Sequence, residues 1–232
     1  DMFSNFLLDN LVEGLINYYW NSEFMQAPDF FCIMIRLHGI RRDHQISTMV
    51  SGNMGGKSVA DFPIITIAGE NRAVPWMTWS EPSPVFENVS QVFASRFNAS
   101  TGLWQQAGQD RGGGEASLNI ATDRAATRPF IFGGSTELGA PPVPWVAWEE
   151  VSDINPSSRQ IFVARGEKDE TAIGGFKWVT VGQAKSTGEQ TLNVDVFRIS
   201  SYPTGVFAET GNSVPWVTWW ESGRDRPDRI FT

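Results

Sequence analysis

An all-β fold is what this 232-residue sequence predicts, and three observations predict it. Aromatic residues are frequent and unevenly chosen, with 10 Trp and 16 Phe against 3 Tyr. They come with 22 Gly and 13 Pro, the mixture that short aromatic strands joined by tight turns require. The third observation is internal repetition: one strand-like segment recurs three times at long, nearly equal intervals.

The recurring segment is Val74-Pro75-Trp76-Met77-Thr78-Trp79, then Val143-Pro144-Trp145-Val146-Ala147-Trp148, then Val214-Pro215-Trp216-Val217-Thr218-Trp219. The copies are spaced by 69 and 71 residues, and an acid follows two positions after each second Trp, at Glu81, Glu150 and Glu221. The unit therefore reads V-P-W-x-x-W-x-E. Upstream of each copy lies an apolar run opened by proline, at Pro63, Pro129 and Pro203. Downstream lies Gln91-Val92-Phe93-Ala94-Ser95-Arg96, matched by Gln160-Ile161-Phe162-Val163-Ala164-Arg165 and by Arg229-Ile230-Phe231-Thr232. A run from Trp104 to Gln109 has its counterpart from Trp178 to Gln183, and Ser117-Leu118-Asn119 has its counterpart in Thr191-Leu192-Asn193.

Each unit is thus four short strands in fixed order, separated by Gly, Asn, Ser and Pro clusters, which predicts hairpin-connected antiparallel pairing. Strand alternation puts Val74, Trp76 and Thr78 on one pleat face and Met77 and Trp79 on the other. Both faces are apolar, so each sheet needs cover on both sides. Radial stacking of four-stranded sheets provides it, and the predicted architecture is β-propeller-like, with blades at residues 61–115, 116–190 and a shorter one at 191–232.

The order of these segments resembles the blade repeat of bacterial multi-blade β-propeller proteins over residues 60–232. That resemblance implies a scaffold fold in exported or surface-associated proteins and no catalytic set. A closed propeller has four to eight blades. The three units here, the last ending at Thr232 inside a strand, predict a fragment completed by further sequence, another copy or a different protein.

Residues 1–60 lie outside the repeat and are expected to form an N-terminal appendage. Phe6, Leu7, Leu11, Leu15 and Tyr18 or Tyr19 recur at helical spacing with Asp9 and Glu13 between them, which predicts a helix over 4–20 with Ser4 as its N-cap. Strand-like runs follow at 30–37 and 46–50. The acids on the polar face of the helix argue against membrane-surface binding, and no run approaches the roughly 20 apolar residues of a membrane span.

Composition excludes several functions. Eighteen basic against 26 acidic residues give a net charge of -8, the wrong sign for neutralising a phosphate backbone, so nucleic acid is not expected as a partner. A single cysteine, Cys32, rules out an intrachain disulfide framework. With His38 and His44 it makes a spacing that matches no common zinc pattern, so neither metal nor cofactor is expected. The stretch from Ser51 to Ser58 ends in Gly-Lys-Ser like a phosphate-binding loop, but Ser51 replaces the first glycine and Pro63 leaves no room for the helix.

Acidic neighbours such as Glu149-Glu150 and Asp169-Glu170 point to opposite faces of a strand, and no sialidase-type box accompanies Tyr202. Two readings of the repeated Trp, Glu and Arg remain. Trp76, Trp145 and Trp216 could be sugar platforms, with Glu81, Glu150, Glu221, Arg96 and Arg165 supplying hydrogen bonds, one site per blade. The simpler reading makes the tryptophans inter-blade core and pairs each Glu with an Arg across neighbouring strands. The expectation is a non-enzymatic, extracytoplasmic scaffold or interaction module that needs a protein partner or homo-oligomer to complete it. A multivalent lectin that binds glycans is the alternative, and a glycoside hydrolase fragment the third. Asn88 and Asn98 head glycosylation sequons.

Overall fold

The computed structural model describes residues 61–68, 74–83, 85–109, 116–135, 140–182, 190–195, 197–208, 214–223 and 226–232. The helix expected at 4–20, the strand-like runs at 30–37 and 46–50, the Gly-Lys-Ser stretch, and Cys32, His38 and His44 fall outside them. Among the described residues every element is a strand, and none is a helix long and apolar enough to cross a membrane.

Eleven strands among the described residues form three antiparallel sheets. Sheet 1 comprises β1 (Asp61–Ala68), β2 (Val74–Pro82), β3 (Ser90–Asn98) and β4 (Leu103–Gln106) in sequential order. Sheet 2 repeats that order with β5 (Ala126–Gly134), β6 (Val143–Val151), β7 (Arg159–Lys168) and β8 (Phe176–Val181). Sheet 3 has β9 (Ile199–Ala208), β10 (Val214–Gly223) and β11 (Arg226–Phe231), with β10 central. The three sheets form an open set.

The V-P-W-x-x-W-x-E segments are the second strands β2, β6 and β10, each flanked by two partners, which suits their apolar character on both faces. Registers coincide between sheets: Trp76 pairs with Arg96 and Trp145 with Arg165, while the second Trp pairs with Phe93, Phe162 and Phe231 in turn. Those second Trp–Phe pairs stack with centroids 5.8, 5.9 and 5.7 Å apart and interplanar angles of 23°, 26° and 21°. Offset stacking of this kind adds to what area burial alone contributes.

Every first strand carries a bulge at its X-Pro step, where register breaks between Asp61 and Ile64, between Thr127 and Phe130, and opposite Thr218 to Trp220. Proline has no N–H to give a ladder, so the break falls where a bond is already missing. Arg128 and Tyr202, each preceding a proline, have φ of 48° and 58°, the left-handed region that L-residues avoid.

The sheets pack face to face through one rule: the first-Trp face of a sheet meets the second-Trp face of the next. Between sheets 1 and 2, Trp76, Val92 and Ala94 cluster with Ile131, Val146, Trp148, Phe162 and Trp178. Trp76 meets the edges of Phe176 and Trp178 at 4.8 and 6.1 Å, and the Trp178 indole donates to the Ala107 carbonyl at 2.8 Å. Between sheets 2 and 3, Phe132, Trp145, Ile161 and Val163 cluster with Val217 and Trp219, and Phe207 packs against them. Two glycines admit the aromatics here. A Cβ on Gly205 would collide with the Phe132 ring, and a Cβ on Gly134 would collide with the Phe207 ring.

Candidate functional site

Two of the recurring side chains, the strand-end Glu and the Asn of Leu-Asn, meet at the connections between sheets. At the first connection, Glu150 at the end of β6 is 0 % exposed. Its carboxylate accepts from the backbone N–H groups of Ile120 and Ala121 at 2.8 and 3.0 Å and from the Trp148 indole at 3.0 Å. The Arg124 guanidinium stands 3.7 Å away. The acid of sheet 2 thus fastens a segment that has just left sheet 1.

The other half of this clasp is Asn119. Its Oδ1 accepts from the Val92 backbone at 2.9 Å, its Nδ2 donates to the Arg124 carbonyl at 2.7 Å, and Leu118 N–H donates to the Val92 carbonyl at 2.8 Å. Leu118-Asn119 therefore extends the hydrogen bonding of β3 past the end of β4. The second connection repeats the design in part, with one backbone N–H on the acid in place of two and the Glu221 Oε2 buried without a hydrogen-bond partner among the described residues. Glu221 accepts from Val194 N–H at 2.8 Å and the Trp219 indole at 3.0 Å, Asn193 Oδ1 accepts from Ile161 N–H at 2.8 Å, and Leu192 N–H donates to Ile161.

Burial dominates the acid chemistry of the clasp. It pushes the Glu150 carboxyl from 4.5 up to about 7, against the Trp148 hydrogen bond, the Ala121 and Ile120 N–H groups and the Arg124 charge, which all pull it down. Glu149, next in sequence, points the other way. It is fully buried and accepts from Arg128 at 3.0 Å, from Arg159 at 3.5 Å and from Tyr202 N–H at 2.8 Å, while the Arg128 guanidinium lies 4.6 Å from the Tyr202 ring centre. Glu149 and Glu150 thus serve different contacts. On the surface, hydrogen bonds from Thr171 hold Asp169 below the usual carboxylate range.

The eight repeated residues singled out from sequence are not equivalent in space. Trp76 and Trp145 are 1 % and 3 % exposed, sealed between sheets, whereas Trp216 is 51 % exposed. Glu81, Glu150 and Glu221 are all buried at the same strand position. Arg96 lies 5.3 Å from the Phe176 ring centre, and Arg165 lies 6.0 Å from that of Trp145 and pairs with Glu167. The expected Glu–Arg pairs across strands do not form in sheets 1 and 2. Glu81 is opposite Gln91 and Glu150 opposite Gln160, while Arg96 and Arg165 sit opposite the first Trp at the far end of the same hairpins. In sheet 3 the Gln position is Arg229, which does face Glu221.

Asn119 and Asn193 are the residues that a search for titratable groups passes over. Their signal is the twice-repeated Leu-Asn between units. Among the described residues, no group of three or more His, Cys, Asp or Glu side chains is placed to hold a metal ion. Fold and clasp define an all-β protein of stacked antiparallel sheets fastened at their connections. Comparison with protein-family models, characterised proteins and solved structures finds no match.

Proposed function

We propose that the chain is a non-enzymatic scaffold module of β-propeller type, acting outside the cytoplasm and binding another protein. One observation carries the reading: the recurring residues that could do chemistry are engaged in holding sheets together. Trp76 and Trp145 lie between sheets, both oxygens of the Glu150 carboxylate accept from backbone N–H groups of the first connection, and Oε1 of Glu221 accepts from the Val194 N–H of the second. A repeat whose polar side chains face inward encodes architecture and leaves recognition to surfaces at its ends and loops.

A lectin reading is favoured by Trp216 alone. It is half exposed, and the Thr204 and Thr218 hydroxyls, 2.7 Å apart, lie on the same face. That is one aromatic platform instead of one per unit.

A glycan array and a panel of fluorogenic glycosides test the reading on the purified chain. The scaffold reading expects neither binding nor turnover. Glycan binding lost in Trp216→Ala would establish the lectin, and turnover would establish a hydrolase.

A further inference from the structure

The recurring side chains build the architecture, so charged residues that break the repeat and gather at one place have another reason to be there. Glu149, Arg159 and Arg128 form such a group. They stand where sheet 1 has Ser80, Ser90 and Phe62, and where sheet 3 has Trp220, Asp228 and Tyr202. Sheet 1 reaches the same four-strand order with no charge at these positions.

A carboxylate at Glu149 is costly, because the side chain is fully buried and is tolerated there only with hydrogen bonds. Arg128 donates from Nη1 to both oxygens at 3.2 and 3.0 Å, Tyr202 N–H donates at 2.8 Å, and Arg159 approaches at 3.5 Å. Two guanidiniums thus share one carboxylate. Arg128 is fixed between that carboxylate and the Tyr202 ring, whose centre lies 4.6 Å from the guanidinium carbon. Arg159 is held more loosely. Its one contact is long, its Nε and Nη2 make no hydrogen bond among the described residues, and its side chain is 38 % exposed. Tyr202, bonded to the same carboxylate, is 64 % exposed. Buried ion pairs are weak sources of stability, so a fold that forms without them in sheet 1 gains little from them in sheet 2.

We propose that Arg159, held by Glu149 beside Arg128 and Tyr202, binds a carboxylate, and that the ligand is an Asp or Glu side chain of the protein partner. The proposal rests on the scaffold reading and names the chemistry by which the partner is recognised. Arg159 retains the donor fork that takes a carboxylate through two parallel N–H···O bonds. Two guanidiniums against one carboxylate leave a single positive charge. A monoanion neutralises it, whereas a dianion such as phosphate overshoots beside the buried Glu149. The exposed Tyr202 ring gives the methylenes of the incoming side chain a surface to lie on. Ser80 and Ser90 cannot form this site in sheet 1, so it is a single point of recognition and not one per unit.

The Arg159 Nε–H and Tyr202 backbone N–H resonances of the isotope-labelled chain read the binding. Titrants at constant ionic strength are acetyl-Glu-amide, acetyl-Gln-amide, inorganic phosphate and glucuronate. Acetyl-Glu-amide is expected to shift both signals saturably, acetyl-Gln-amide to leave them in place, and phosphate to bind more weakly. Arg165, similarly exposed but paired with Glu167, is the internal control and should not respond. Arg159→Lys keeps the charge and loses the fork, so affinity read at Tyr202 should fall by about tenfold or more, and Arg159→Gln should abolish it. No saturable shift, an equal response at Arg165, or unchanged affinity in Arg159→Gln would each overturn the site. Glucuronate binding about tenfold tighter than acetyl-Glu-amide would overturn the protein ligand in favour of an acidic sugar. Failure at Arg159 leaves the glycan and glycoside assays unchanged, so the scaffold reading stands or falls separately.

Discussion

Phe132 and Gly205 meet across the interface between sheets 2 and 3, the aromatic ring of one occupying the volume where the other would carry a Cβ. A methyl group there must displace the ring or part the sheets. Gly205→Ala is therefore expected to lower stability by about 1 to 3 kcal/mol in chemical denaturation, the usual range for overpacking. Phe132→Leu made together with it should recover part of the loss, and a double-mutant cycle reads that coupling.

The clasp acid confers a pH dependence of defined sign. Glu150 titrates near 4.5 in the unfolded chain and near about 7 in the folded one, so between those values the folded state holds an extra proton. Its contribution to stability is complete below 4.5 and is lost as pH rises to about 7, by at most about 3 kcal/mol. Urea midpoints of the wild type and Glu150→Gln measured across this range provide the check. The wild type should lose stability relative to the variant as pH rises, and parallel curves would show that the two states bind the proton equally.

Removing the other half of the clasp strands a buried donor. In Asn193→Ala the Ile161 N–H loses its acceptor, at an expected cost of about 1 to 3 kcal/mol, and Asn119→Ala does the same to Val92. Equilibrium unfolding measures both. Losses of similar size would show that the two clasps are energetically alike.

The three copies of the first Trp should respond unequally. Trp76→Ala opens a cavity in a closed interface and is expected to cost about 3 to 5 kcal/mol. The half-exposed Trp216 has no opposing sheet among the described residues, so Trp216→Ala should cost about 1 kcal/mol or less. A thermal melt of each variant distinguishes them.

Hydrophobic spacing in the sequence discloses the sheets, because V-P-W-x-x-W puts a large side chain on each pleat face and leaves no solvent face. The four-strand order of sheets 1 and 2 follows from the same spacing. The work of Glu150 and Glu221 is not readable in this way. Beyond the Trp two positions earlier in W-x-E, their partners are backbone N–H groups 27 to 30 residues upstream, and a backbone group has no letter in the sequence. The supposed Glu–Arg pairs fail for a geometric reason: in an antiparallel hairpin the last residue of one strand faces the first of the next, so Glu81 meets Gln91 and leaves Arg96 to Trp76. Prolines 129 and 203 mark their strands in the sequence, but the left-handed turn of the residues before them emerges only from the bulge.

Because each clasp joins neighbouring sheets only, the protein should behave as a row of linked units in which loss of one weakens the next and spares the one beyond. Releasing Glu221 frees Val194 but leaves Glu150 on Ile120, so disruption that begins at sheet 3 has to pass through sheet 2 before it reaches sheet 1. Sheet 2, gripped on both faces, is the natural kinetic anchor of the row. Its central strands should be the last to exchange their amide hydrogens with solvent.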